Sequence, residues 1–173
     1  MSGAEVAEYN DHAARRFLLE FERRNVMKPE TSVTVPHSDK FGSVGFTIAF
    51  WLKLAHHSPR DANIIAKATS GETAAPQVAL RADGRIAVTM QSTTGVHEVL
   101  SDGRIPINFP THVSVVRSGP MVKIYINGKL DNSGLSPSPL VTNPAVVTIG
   151  AGADMPGFYG WIRHLHWYGV EYK

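Results

Sequence analysis

The sequence predicts an all-β fold, either a two-sheet antiparallel sandwich or a barrel, on three observations. From Thr31 onward nearly every apolar run has period two. Each run stops at a Gly, Pro, Asn or Asp signal, and the segment VKIYINGK at residues 122–129 shows the whole logic in one place. Short alternating strands punctuated in this way build sandwiches and barrels rather than α/β folds.

The elements follow in order. Residues 4–24 carry two patterns: Val6, Ala13, Phe17 and Phe21 fit a helical stripe, whereas Phe17, Leu19 and Phe21 fit a strand. The expectation is a polar lead-in over residues 1–15, helical as far as His12, then a strand at 16–22. Strands are predicted next at 32–35 and 46–54. In the second, Phe46, Ile48, Phe50 and Leu52 share one face and Thr47, Ala49, Trp51 and Lys53 the other. Further strands fall at 63–68, 77–81, 85–91, 96–100, 112–117, 122–127, 145–150 and 161–168. Asp83-Gly84 and Asn127-Gly128 are hairpin turns by residue type, and Asp102-Gly103 is a candidate third. Residues 133–139 (SGLSPSP) read as an irregular surface loop.

Composition narrows the function classes. A chain of 173 residues suits one domain with a real core, expected here at 16–173. Without cysteine there is no disulfide, thiolate metal site or cysteine nucleophile. The N-terminus lacks the apolar stretch of a secretory signal, giving the expectation of a cytoplasmic protein. No apolar run approaches the roughly 18 residues of a membrane span. A net charge of +2 without a basic cluster gives no footprint for nucleic acid.

Three blocks carry a resemblance to a known family. ETSVTVPHSDKFGSVGFTIAFWLKL (residues 30–54) looks like an opening strand, valine-proline step and tryptophan-bearing second strand. HVSVVRSGPMVKIYINGKL (112–130) resembles a central hairpin ending in tyrosine-x-asparagine-glycine, and VTIGAGADMPGFYGWIRHLHWYG (147–169) an isoleucine-glycine strand followed by a glycine-led closing strand. Together they resemble the concanavalin A-like lectin/glucanase superfamily, in its LamG-like modules of the pentraxin and laminin G type. The resemblance implies a jelly-roll sandwich of two antiparallel sheets, with Phe17 to Phe21 pairing near the closing strand. The superfamily hosts lectins, glycan hydrolases, adhesion modules and toxin receptor-binding domains, so fold leaves function open. The resemblance implies one irregularity: it places Ile162, Leu165 and Trp167 inward, which strict alternation does not allow, and a bulge near Arg163-His164 would reconcile them.

Glycoside hydrolysis needs two facing carboxylates, about 5–5.5 Å apart for retention or about 6.5–9.5 Å for inversion. No predicted strand carries an alternating acidic pair, so no catalytic residue and no enzymatic activity are expected. Calcium, which many family members hold, is disfavoured: Arg163 stands where the resemblance would place an aspartate, and the early loop reads Glu22-Arg23-Arg24-Asn25. Asp39, Asp61, Asp102, Asp131 and Asp154 read as turn formers. His164 and His166 share a strand, and His56-His57 follows Leu54, but zinc requires three or four converging ligands. No cofactor is therefore expected. The segment His56 to Arg60 departs from the galectin pattern at Ser58 and lies in a loop.

Trp51 is the stronger clue, because an indole on an outer sheet face stacks on the CH face of a sugar. Phe158, Tyr159 and Trp161 form a second aromatic group before the closing strand. The sequence thus reads as a non-catalytic recognition module for a glycan or a protein surface, with an intracellular protein-interaction scaffold as the alternative and a glycoside hydrolase, which has only the fold behind it, as the remote one. Its expected ligand-binding residues are Trp51, Arg117, Tyr125, Tyr159 and Arg163: aromatics for stacking, arginines for bidentate hydrogen bonds.

Overall fold

The computed structural model describes residues 17–21, 25–37, 41, 45–68, 75–136, 139–152 and 154–169. The predicted lead-in at 1–15 and its helix lie outside these. Among the described residues there are thirteen strands in two antiparallel sheets. They are β1 (Phe17–Phe21), β2 (Asn25–Met27), β3 (Ser32–Val35), β4 (Phe46–Leu54), β5 (Ala62–Lys67), β6 (Gln77–Leu80) and β7 (Arg85–Ser92). β8 (Gly95–Arg104), β9 (Thr111–Ser118), β10 (Met121–Ile126), β11 (Lys129–Leu135), β12 (Val147–Gly150) and β13 (Gly160–Tyr168) complete the set.

The seven-stranded sheet runs β1-β13-β4-β9-β10-β11, with β2 beside the first half of β13 and β1 beside its second half. The six-stranded sheet runs β3-β12-β5-β6-β7-β8. This is the expected jelly-roll sandwich, with β1 against the closing strand as the resemblance implied. The alternation of β4 holds throughout: Phe46, Ile48, Phe50, Leu52 and Leu54 are at most 2% exposed. They meet Val113, Val115, Val122 and Ile124 from neighbouring strands and Val78, Val88, Val147 and Ile149 from the other sheet. Burying one such side chain contributes about 1.5–3 kcal/mol.

The bulge in β13 is present. Its pairing with β4 shifts between Arg163 and His166, and His164 takes a left-handed φ of 50°. That extra residue lets Ile162, Leu165 and Trp167 all enter the core. Asn127 and Gly128, with φ of 51° and 79°, make the tight turn that their residue types predict.

Three expectations need correction. Asp102 and Gly103 do not turn the chain; β8 continues to Arg104, and the Asp131 carboxylate accepts both their N–H groups. The predicted loop at 133–139 begins as strand, because β11 extends to Leu135 on the backbone of β10. Asp131 and Asn132, whose amide donates to the Leu100 carbonyl at 2.7 Å, tie β11 to β8 and close one edge of the sandwich. Arg117 is the third correction. It is 2% exposed, because it shares the inward parity of Val113 and Val115 and lies opposite Phe46 and Val122. Its guanidinium donates to the Ser136 carbonyl at 3.0 Å, and burial lowers its pKa. Buried Lys67 similarly donates to the carbonyls of Asn143 and Ala145 at 2.6 and 2.8 Å. The two interior cations thereby hold the connection between β11 and β12.

Candidate functional site

The outer face of the seven-stranded sheet carries the candidate site. Because β4 alternates, Trp51 projects outward between Ala49 and Lys53 and is half-buried. Register then fixes its neighbours. Arg163 of β13 lies opposite it on one side and His112 of β9 on the other. Asn127 follows His112, whose backbone N–H donates to the Asn127 side-chain oxygen at 2.9 Å.

The imidazole of His112 meets the Trp51 indole edge-on, with ring centroids 5.2 Å apart. Trp51, Phe109, Pro110, His112, Asn127 and Gly128 line an open groove of about 590 Å³. Phe109 is 61% exposed, so the groove offers it as apolar surface rather than burying it. Burial, then the nearby His166, lowers the His112 pKa, since both disfavour the imidazolium. His112 is therefore chiefly neutral near neutral pH.

A second, smaller groove of about 220 Å³ lies beside the first, lined by Val26, Lys53, Ala55, Asn108, Gly160 and Trp161. Lys53 pairs across strands with Trp161, one row from the pair of Trp51 with Arg163. Arg163 is exposed, and its guanidinium carbon lies 5.8 Å from the Trp161 ring centroid, a cation–π contact. Gly160 makes this close strand pairing possible: at φ 150° a Cβ there would stand 1.8 Å from the Lys53 carbonyl oxygen.

The remaining candidates distribute unevenly. Tyr125 faces outward from β10 opposite Ser114, one row from His112, and is half-buried. Tyr159 is 44% exposed at the end of the sheet, where His56 packs edge-on against it at 5.3 Å. Phe158, its neighbour, is a core residue. Trp51, Tyr125 and Arg163 thus share one face with Tyr159 at its end, and Arg117 stands apart inside the sandwich. Sequence reasoning missed His112 and Phe109. The outward parity of His112 follows from buried Val113 and Val115, whereas Phe109, in the turn before β9, carries no periodic signal.

His164 and His166 lie 6.5 Å apart by ring centroid, and Tyr168 meets His166 Nδ1 at 3.3 Å. Among the described residues no three His, Cys, Asp or Glu groups gather in a way that would hold a metal ion. Asp61 and Asp131 are occupied in folding: Asp61 accepts the Ala82 N–H and pairs with Arg81, which keeps its carboxyl below the ordinary value.

No curated protein sequence matches the chain. Solved structures share its fold. The binding domain of Paraclostridial Mosquitocidal Protein 1 superposes with a TM-score of 0.68 at 14% identity, covering 99% of this chain and 45% of that one. A chain of botulinum neurotoxin type C, which depends on interaction with two ganglioside molecules to enter cells, gives 0.64 at 17% identity, covering 95% and 44%. This chain therefore spans less than half the length of either toxin chain. Domain 4 of AbnA, an extracellular GH43 arabinanase from Geobacillus stearothermophilus in complex with arabinotriose, gives 0.65 at 17% identity, covering 95% and 79%. A laminin G family model, described as the concanavalin A-like lectin/glucanases superfamily, matches residues 28–172. With that match over most of its length, the chain belongs to the concanavalin A-like lectin/glucanases superfamily.

Proposed function

We propose that the protein is a non-catalytic carbohydrate-binding module whose site is the Trp51 groove. The observation that carries this reading is the grouping of Trp51, Phe109, His112 and Asn127 around one open groove on an outer sheet face. Sugar sites combine a broad apolar wall with a few directed polar groups. Trp51 and Phe109 supply the wall, stacking on the CH faces of a pyranose or furanose ring. Asn127 and His112 supply the polar groups, and Tyr125 extends the platform by one row. The groove volume suits one or two sugar rings, within the range of about 300–1,000 Å³ usual for small ligands.

The non-catalytic part is supported by the lining itself. Hydrolysis by the two-carboxylate route needs an acid on each side of the glycosidic bond. Neither groove is lined by Asp or Glu among the described residues. The glycan part is supported by two proteins of the same fold whose ligands are sugars, arabinotriose for one and gangliosides for the other.

Binding of the labelled protein to a glycan array tests the reading, with and without EDTA. Saturable binding that free sugar competes and EDTA leaves unchanged is the expected result. An array without a specific signal, together with one stoichiometric protein partner in a pull-down, would replace it with the scaffold reading.

A further inference from the structure

The site is rich in donors and poor in acceptors, and that imbalance speaks to its ligand. Trp161 lies opposite Lys53, and in the next row Arg163 lies opposite Trp51, so indoles and cations alternate like squares on a board. Lys53 and Arg163 enter no ion pair among the described residues, whereas on the other sheet Arg81 pairs with Asp61 and Glu98, and Arg85 with Asp83. Lysine, arginine and tryptophan side chains donate hydrogen bonds and accept none. Among the lining side chains acceptors are few: the Asn127 oxygen already takes the His112 N–H, leaving the Asn108 oxygen and an imidazole nitrogen.

A neutral sugar hydroxyl both donates and accepts, and it is recognised best where both partners are present. A carboxylate or sulfate oxygen only accepts, and hydrogen bonds from cations to it are roughly twice as strong as neutral ones. We infer that the glycan held in the Trp51 groove is an acidic one, its carboxylate or sulfate received by Lys53 and Arg163 while a ring stacks on Trp51. This rests on the carbohydrate-binding reading and adds the charge class of the ligand. The Trp161 ring, 5.8 Å from the guanidinium carbon, positions exposed Arg163 by a cation–π contact.

The test uses matched glycans that differ only in charge: chondroitin sulfate, its desulfated form, and the desulfated form with its carboxyls reduced to alcohols, alongside a general array of sialylated, sulfated, uronic acid and neutral glycans. Acidic forms are expected to bind about tenfold or more tightly than neutral counterparts, a preference weakened by raising salt from about 0.15 to about 1 M. Loss of binding at the desulfation step assigns sulfate as the recognised group, and loss at the reduction step assigns carboxylate. Lys53→Gln and Arg163→Gln, both on the surface, should abolish the preference while the melting temperature stays unchanged. Equal binding of charged and neutral forms would overturn the acidic-ligand inference and leave the carbohydrate reading standing. Binding to no glycan on either panel would overturn both.

Discussion

Trp51 and Arg117 sit on neighbouring strands, yet one faces solvent and the other faces the core, and parity alone separates them. Trp51 alternates with Phe50 and Leu52, so its outward direction is legible from the sequence. Arg117 alternates with Val116 and shares the parity of Val113 and Val115, but a guanidinium at a strand end reads as exposed because charge is so seldom buried. The reason for its burial, a carbonyl acceptor at Ser136, is a tertiary contact that no local pattern records. Arg117→Ala should lower stability by about 2–4 kcal/mol in urea unfolding, through lost packing and an unpaired buried carbonyl, and leave glycan affinity unchanged. A loss of affinity at full stability would return Arg117 to the site.

His112 gives the residue scale a pH signature. Its folded pKa lies below the ordinary value of 6.5, by burial first and then by the charge of His166. The unfolded chain thus takes up a proton that the folded one resists. The corresponding stability is fully present above pH 6.5 and is lost as pH falls from 6.5 through the folded pKa. Thermal midpoints measured across this window should decline, and His112→Gln should flatten that part of the profile. An identical decline in the variant would assign the effect to other groups.

At the scale of elements, apolar strands were legible whether they alternate, as β4 and β10 do, or are buried throughout, as β5 and β12 are, and the strands missed were the short β2 and the polar β11. β4 and β10 declare both faces. The bulge of β13 was legible because the family resemblance placed Ile162, Leu165 and Trp167 inward at a spacing that strict alternation does not allow. β2 is too short for a pattern, and β11 (KLDNSGL) has no apolar alternation; its place depends on the Asn127-Gly128 turn and on Asp131 and Asn132 reaching β8. The Asp102-Gly103 pair has the residues of a turn but forms a bulge within β8, where that same Asp131 accepts both N–H groups. Gly160 joins element to site, since the pairing of β13 with β4 brings Trp161 to Lys53. Gly160→Ala should cost about 2–4 kcal/mol, from a strained φ and a Cβ driven against the Lys53 carbonyl. Equilibrium unfolding checks this, and near-native stability in the variant would show that the strands part without penalty.

For the whole molecule, the sandwich separates its two jobs. Stability resides between the sheets, where apolar rows from β4, β9, β10 and β13 meet those of the six-stranded sheet. The proposed recognition surface is on the opposite side of the same strands, where Ala49, Trp51 and Lys53 of β4 and His112 and Ser114 of β9 are partly exposed while Thr47 and Val116 of the same parity are buried. That division explains why the fold was readable and the site only partly so. A core is written in periodicity, but a groove is written in which outward side chains end up adjacent, and the row Arg163, Trp51, His112, Asn127 draws on β13, β4, β9 and the turn after β10.

The central claim is that this row binds a glycan through Trp51. Titration calorimetry of the wild-type protein and Trp51→Ala with the strongest array ligand tests it most directly. The account predicts a loss of affinity of about tenfold or more, near 1.4 kcal/mol, with an unchanged melting temperature. Equal affinity in the two proteins would contradict it.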